Sequence, residues 1–276
     1  MDESDLAGVE GLIAAEAAAG HTRSVPVLCR ALSIMELLAV TRNGLTLPEV
    51  ARRLEIPKSS AHCILLTLLR QNYVTRSPRT RRFILGFKLF SLANEALNGL
   101  RLRELAMPHL RQLMLGTGLT VHMAIFDRHE AILIAKIDPP GGAGLATWIG
   151  RHMELHCTGL GKVLLASLPE SELNQLLQIR TFPRHNDNTI VSNKRLTREI
   201  GNVRANGYAL DDEEEEIGVR CIGIPLYAPD GTVAAAISVA GTLQQITNEN
   251  IKGIVARMAR TAGYITEALK SDKDNG

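Results

Sequence analysis

LPEVARRLEIPKSSAHCILLTLLRQNYVTRSPRTRRFILG, residues 47–86, reads as a short helix, a turn, a second helix and a basic hairpin. That order is the one found in a winged helix-turn-helix, a module that sets its second helix into a DNA major groove. Thr46 and Glu49 make a T-x-x-E capping box, with Pro48 tolerated in the first turn. Val50, Ala51 and Leu54 form one apolar stripe, and Pro57 biases Ile56 away from helix, so the chain turns there. In the next helix Ala61, Ile64, Leu65, Leu68 and Leu69 fall at i, i+3, i+4, i+7 and i+8, a single buried face. Lys58, Ser59, Ser60, His62 and Cys63 lie off that face near the helix start, where base edges and phosphates would be met. Tyr73–Thr75 and Arg82–Leu85 read as two strands, and Arg76, Arg79 and Arg81 cluster around Pro78 at the hairpin tip.

Charge supports nucleic acid as the partner. Residues 25–88 hold eleven Lys and Arg against three acids, net +8, whereas residues 1–24 carry net −4 and residues 89–276 net −2. The formal +2 of the whole chain therefore conceals a basic module beside two acidic segments. Aromatic residues make up only 4%, which disfavours a platform that stacks single-stranded bases.

A length of 276 residues suggests two domains. No run approaches the ~18 uncharged apolar residues of a membrane span, and the acidic start Met1-Asp2-Glu3 is not a secretory signal. Cys29, Cys63, Cys157 and Cys221 show no C-x-x-C spacing, as expected of reduced thiols in a cytoplasmic protein. No cofactor motif is present; Pro139–Gly144 lacks the G-K-[ST] ending of a phosphate loop and is assigned a structural role.

The expected organisation is a mobile tail over 1–24, a winged helix-turn-helix domain over 25–86, a linker helix over 87–99 and a second domain over 100–276. A first helix, Val25–Thr41, carries Leu28, Leu32, Met35 and Leu38 on one side, and Leu89, Ala93, Ala96 and Leu97 give the linker helix a packing face. A helix near residues 102–114 is expected to be interrupted at Pro108. Beyond it, strands over 120–126 and 131–137 flank a hairpin turn, helices follow over 161–168, 170–179 and 193–205, strands over 221–227 and 232–239, and a helix over 248–269. The mixture lacks strict βαβ alternation, so the second domain is read as α+β with an antiparallel sheet.

Four spaced segments carry a resemblance to IclR-family transcriptional regulators, extending over about residues 25–269. IPKSSAH (56–62) is similar to the family's recognition helix, and HCTGLGKVLLA (156–166) resembles its effector-domain signature. GYALDDEE (207–214) with GVRCI (218–222), and AAISVAG (235–241), follow in the family's order. The resemblance implies a repressor or activator that binds a palindromic operator as a homodimer or homotetramer. A small metabolite, often an organic acid, would bind a GAF-like C-terminal domain, with contacts at Gly159, Leu160, Asp211, Cys221 and Ser238. Ala240 stands where some relatives have a second serine, and Cys63 where the family usually has arginine, so one contact of each kind is expected to be missing.

Elementary chemistry agrees with that assignment. Thr158 precedes a helix, so N–H groups near Gly159 and Gly161 would be open donors facing a carboxylate. Each position also has a bland reading: Cys221, Ser238, Leu160, Trp148 and Met123 as core, and the six acids from Asp211 as a solvated face. Two rival functions are a cysteine hydrolase using Cys157 or Cys221 with His156, and a metal sensor seeded by His152, His156 and Cys157. Adjacent residues on a strand point to opposite faces, which counts against the first.

Overall fold

A computed structural model describes residues 24–142 and 144–275, and the N-terminal tail expected over 1–24 lies almost wholly outside them. The chain divides after Ala96 into two compact units.

In the first unit, α1 (Pro26–Ala39), α2 (Leu47–Arg53) and α3 (Lys58–Arg70) are followed by the hairpin β1 (Val74–Arg76) and β2 (Phe83–Leu85). The capping box forms as expected: the Thr46 N–H and hydroxyl donate to the Glu49 carboxylate at 2.7 and 2.8 Å. Phe83 also exchanges backbone hydrogen bonds with Leu45, so the wing is anchored to the segment before α2. Ala61, Ile64, Leu65 and Leu68 are buried as the spacing requires. In α1 the buried residues are Ile34, Leu37 and Leu38; Leu28 and Leu32, expected inside, are about half exposed. The apolar stripe that packs is thus rotated from the one chosen by simple counting. Helix α4 (Phe87–Asn98) forms over the expected residues but buries none of them.

The second unit is one antiparallel sheet, order β5-β4-β3-β8-β7-β6, with helices on both faces. Its strands are β3 (Thr120–Asp127), β4 (Glu130–Ile137), β5 (His152–Met153), β6 (Ala209–Asp212), β7 (Val219–Tyr227) and β8 (Val233–Thr242). Arg128 and His129 both take positive φ in the β3–β4 turn, the geometry of a two-residue type I′ hairpin. Helices α5 (Arg101–Thr117) and α9 (Ile251–Asn275) cover one face. Helices α6 (Gly159–Ser167), α7 (Glu170–Ile179) and α8 (Asn193–Asn206) belong to the other. Helix α5 runs through Pro108 without a break. An interior proline costs about 3 kcal/mol, which burial of Ala106, Leu110 and Leu113 on the sheet offsets. The fold is α+β, with β5 and β6, too short to show a period, absent from the sequence reading.

Alternation along the strands decides where function can lie. Val121, Met123, Ile222, Ile224, Ile237 and Val239 pack with α5 and α9. Their neighbours His122, Cys221, Ser238 and Ala240, with Asp211 of β6, line a cavity on the α6 side.

Candidate functional site

The first site is the exposed face of α3 and the wing. Lys58, Ser59 and His62 are exposed at the start of α3, and Ser60 is half-buried, its hydroxyl accepting from Arg30 at 3.5 Å. The wing arginines differ in freedom. Arg76 donates to the Arg81 carbonyl at 3.2 Å and lies over the Phe83 ring. Arg82, not singled out from sequence, forks onto both Glu49 oxygens at 3.1 and 3.2 Å. Hydrogen bonds from Thr46, with the Arg82 charge beside them, hold the Glu49 carboxyl below its ordinary range. Arg79 and Arg81 are exposed, and among the described residues their side chains have no partner.

The second site is a cavity of about 230 Å³. Gly159, Leu160, Asp211, Cys221 and Ser238 all lie on its wall. The wall also holds His122, Thr147, Arg151, His185 and Glu215, none of which was identified from sequence. Part of it is the segment after β4 that holds Leu145, Ala146 and Thr147, just beyond the Pro-Gly loop; Lys136 fixes that segment by donating to the carbonyls of Leu145 and Thr147. Trp148, expected in the core, is exposed on that segment.

The start of α6 is pressed against β7. A Cβ on Gly159 would sit 2.9 Å from the Gly223 nitrogen, and one on Gly223 only 2.2 Å from the Gly159 oxygen. Two facing glycines thus let a helix end touch a strand. Thr158 caps the helix by accepting from the Gly161 N–H at 2.9 Å. The expectation of an open donor at Gly161 is therefore corrected; the N–H groups of Gly159 and Leu160 are the ones with no acceptor among the described residues.

Burial governs the cavity's ionisation. Asp211 is buried and pushed up to about 7, opposed by the Glu214 N–H and the Lys162 charge. His122 is pushed down to about 4 by burial, with Lys136 adding to the effect, and its Nε2 lies 2.9 Å from the Thr147 hydroxyl. Arg151 is engaged by Glu215 at 2.9 Å and by the Ala146 carbonyl. The six acids do not form one solvated face: Asp211 and Glu214 are buried, Asp212 and Glu216 exposed. Arg220 pairs with Asp212, not Asp211. Glu214 meets Lys162, a fully buried lysine whose ammonium also bonds the Leu210 carbonyl. A lone lysine inside GLGKVLLAS was the one sign of this pair in the sequence.

His152, on β5, is exposed and pairs with Glu130, remote from the role in a metal cluster considered for it. His156 and Cys157 lie in the turn before α6 rather than on a strand, so the argument that their side chains diverge does not hold.

A winged helix with a basic exposed face, in a chain that also carries a six-stranded unit enclosing a small cavity, is the architecture of a DNA-binding transcription regulator with a second, cavity-bearing domain. The bacterial transcriptional regulator IclR C-terminal domain matches residues 94–267, and the IclR helix-turn-helix domain matches residues 27–78. The chain belongs to the IclR family. It is 30% identical over 240 residues to the HTH-type transcriptional regulator XynR of Escherichia coli, covering 87% of this chain and 95% of that one. It is 30% identical over 256 residues to the transcriptional repressor IclR of the same organism, covering 92% and 93%. The structure of Thermotoga maritima IclR superposes with a TM-score of 0.71 at 29% identity, covering 88% of this chain and 98% of that one. No described helix is long and apolar enough to cross a membrane.

Proposed function

We propose that this regulator is a cytoplasmic repressor of a catabolic operon, released or tightened on its operator by a small organic acid or carbonyl compound held in the cavity. The observation that carries the ligand class is the pair of open N–H groups at Gly159 and Leu160 on the cavity wall, at the positive end of a helix dipole. Asp211, Cys221 and Ser238 then orient the rest of the molecule, as few polar groups do in a mostly apolar pocket. Repression is supported by the name of the E. coli relative, a transcriptional repressor. In this reading the chain binds and does not catalyse: burial, reinforced by Glu215 and Glu154, pushes the Cys157 thiol up, away from the thiolate a hydrolase needs. Thermal-shift screening of small carboxylates and carbonyl compounds, followed by operator titration with each hit, tests the assignment; a response confined to sugars or amines would defeat it.

The acidity of Asp211 gives that ligand a pH signature. The folded chain keeps this proton up to about 7, whereas an unfolded carboxyl loses it near 3.9. The native state therefore binds the extra proton between those values, and this group lowers stability as pH rises across that window. Affinity for an anion should likewise fall as pH rises through about 7, when a negative carboxylate appears on the wall. Asp211→Asn should flatten the fall in calorimetric titrations from pH 6 to 8; the same fall in the variant would acquit Asp211.

On DNA, we assign base reading to Ser59, Ser60 and His62, and backbone contacts to Lys58, Arg76, Arg79 and Arg81. His62→Ala is expected to weaken the preferred operator by about 1–3 kcal/mol and random DNA far less; equal losses would remove His62 from the reading set. Arg79→Ala and Arg81→Ala should each reduce the slope of log K against log salt by roughly one unit. A homodimer or homotetramer engaging two half-sites completes the reading.

A further inference from the structure

We propose that His156, Cys157 and His185, with the neighbouring Glu154 carboxylate as fourth ligand, form a site for zinc or a similar divalent transition ion beside the effector cavity. The ligand atoms of His156, Cys157 and His185 lie within 4.8 Å of one another. Glu154 flanks the three, its carboxylate 3.4 Å from His156 Nδ1 and 3.9 Å from His185 Nε2, and would supply the fourth ligand by a small side-chain movement. The turn before α6 makes this possible, since it lets the consecutive side chains of His156 and Cys157 converge.

His156 carries the argument. Its ring is fully buried, and Nε2 lies 2.9 Å from the Pro183 carbonyl. A carbonyl only accepts, so Nε2 bears the hydrogen, and in the neutral ring Nδ1 presents a lone pair. That nitrogen has no hydrogen-bond partner among the described residues and faces a carboxylate, which is also an acceptor. A proton on Nδ1 or a metal ion between the two would resolve the conflict, and the Cys157 sulfur and second imidazole gathered at the same point favour the metal ion. A backbone carbonyl holding the far ring nitrogen is the usual support of a metal-bound histidine. The neighbourhood is negative as well: Glu215, Glu154, Asp211 and Glu214 all act on Cys157. Two imidazoles, one sulfur and one carboxylate suit a borderline-soft ion, zinc above all, and not calcium or magnesium. Binding replaces the Cys157 S–H bond by a metal–sulfur bond, and the thiol proton leaves to solvent. The ion would join the turn before α6 to the segment after α7, so that His185 is held at the cavity wall.

The test uses the full chain in a Cys29→Ser/Cys63→Ser background, stripped with a chelator and titrated with Co²⁺. One equivalent should bind, giving thiolate-to-cobalt absorption and the strong visible bands of four-coordination, and Zn²⁺ should displace it. His185 is one-third exposed, so His185→Ala should fold, and it should lose at least about a hundredfold in affinity, more than an outer-shell change costs. Cys157→Ser should lose the thiolate absorption. Absence of binding to wild type, or undiminished affinity in His185→Ala, would overturn the proposal. So would thiolate absorption that survives Cys157→Ser and vanishes in Cys221→Ser, which would move the ion to the Asp211–Cys221 wall. Should Cys157→Ser fail to fold, X-ray absorption of the zinc-loaded background protein decides instead: one sulfur in the shell supports the site and none refutes it.

Discussion

Replacing Lys162 by methionine is expected to destabilise the second unit by about 3–5 kcal/mol, the cost of leaving a buried charge without its partner. Lys162 is fully buried, and its ammonium lies 2.6 Å from Glu214 and 3.7 Å from Glu199. Glu214 has little recourse to water; burial already pushes it up even against the lysine's pull. Urea denaturation followed by far-ultraviolet circular dichroism reads the effect. Lys162→Met/Glu214→Gln should recover a large part of the loss, because it removes the orphaned charge along with the lysine. A single variant within about 1 kcal/mol of wild type would mean that the pair does not hold α6 to the loop after β6, since removing one partner of a buried pair normally costs several times that.

Filling the cavity should silence the effector while sparing the fold. Ala240 sits on β8 opposite Cys221 and Thr120 and lines the cavity. Ala240→Leu places three more carbons in about 230 Å³. Ligand affinity should drop at least about a hundredfold, or about 2.7 kcal/mol, whereas overpacking should cost about 1–3 kcal/mol of stability. Operator affinity without effector should stay near wild type. Calorimetry with an identified ligand and operator titration separate these readouts, and a folded variant that responds normally would exclude the cavity. Gly159 is a poor position for this test, because any side chain there meets the β7 backbone.

What was legible in the sequence depended on length and period. The α3 stripe, the capping box, the β3–β4 turn and the run of helices α6 to α8 each had a local signal. Short elements had none: β5 has two residues and β6 four. Pro108 misled because local propensity points to a break, while packing of α5 on the sheet overrides it. Of the cavity wall, Asp211, Cys221 and Ser238 on strands and Gly159 and Leu160 at the α6 start were found through motif resemblance. His122, Thr147, Arg151, His185 and Glu215 were not, because they reach the wall from separate strands and loops and share no spacing. His156 and Cys157 were misjudged because a strand was assumed where the chain turns.

The Glu49 carboxylate ties the start of α2 to the wing, 33 residues further along the chain. It accepts from Thr46 at the start of α2 and from Arg82 at the base of the wing, while Arg82 also donates to the Gly44 carbonyl. The wing is thus already ordered relative to the helix pair before any duplex arrives. Association then need not freeze a floppy hairpin, and the entropic penalty that weakens flexible binders is largely avoided. Loss of Glu49 would loosen this arrangement and penalise every DNA sequence alike, weakening the grip on the genome as a whole while leaving the preference for one operator over another intact.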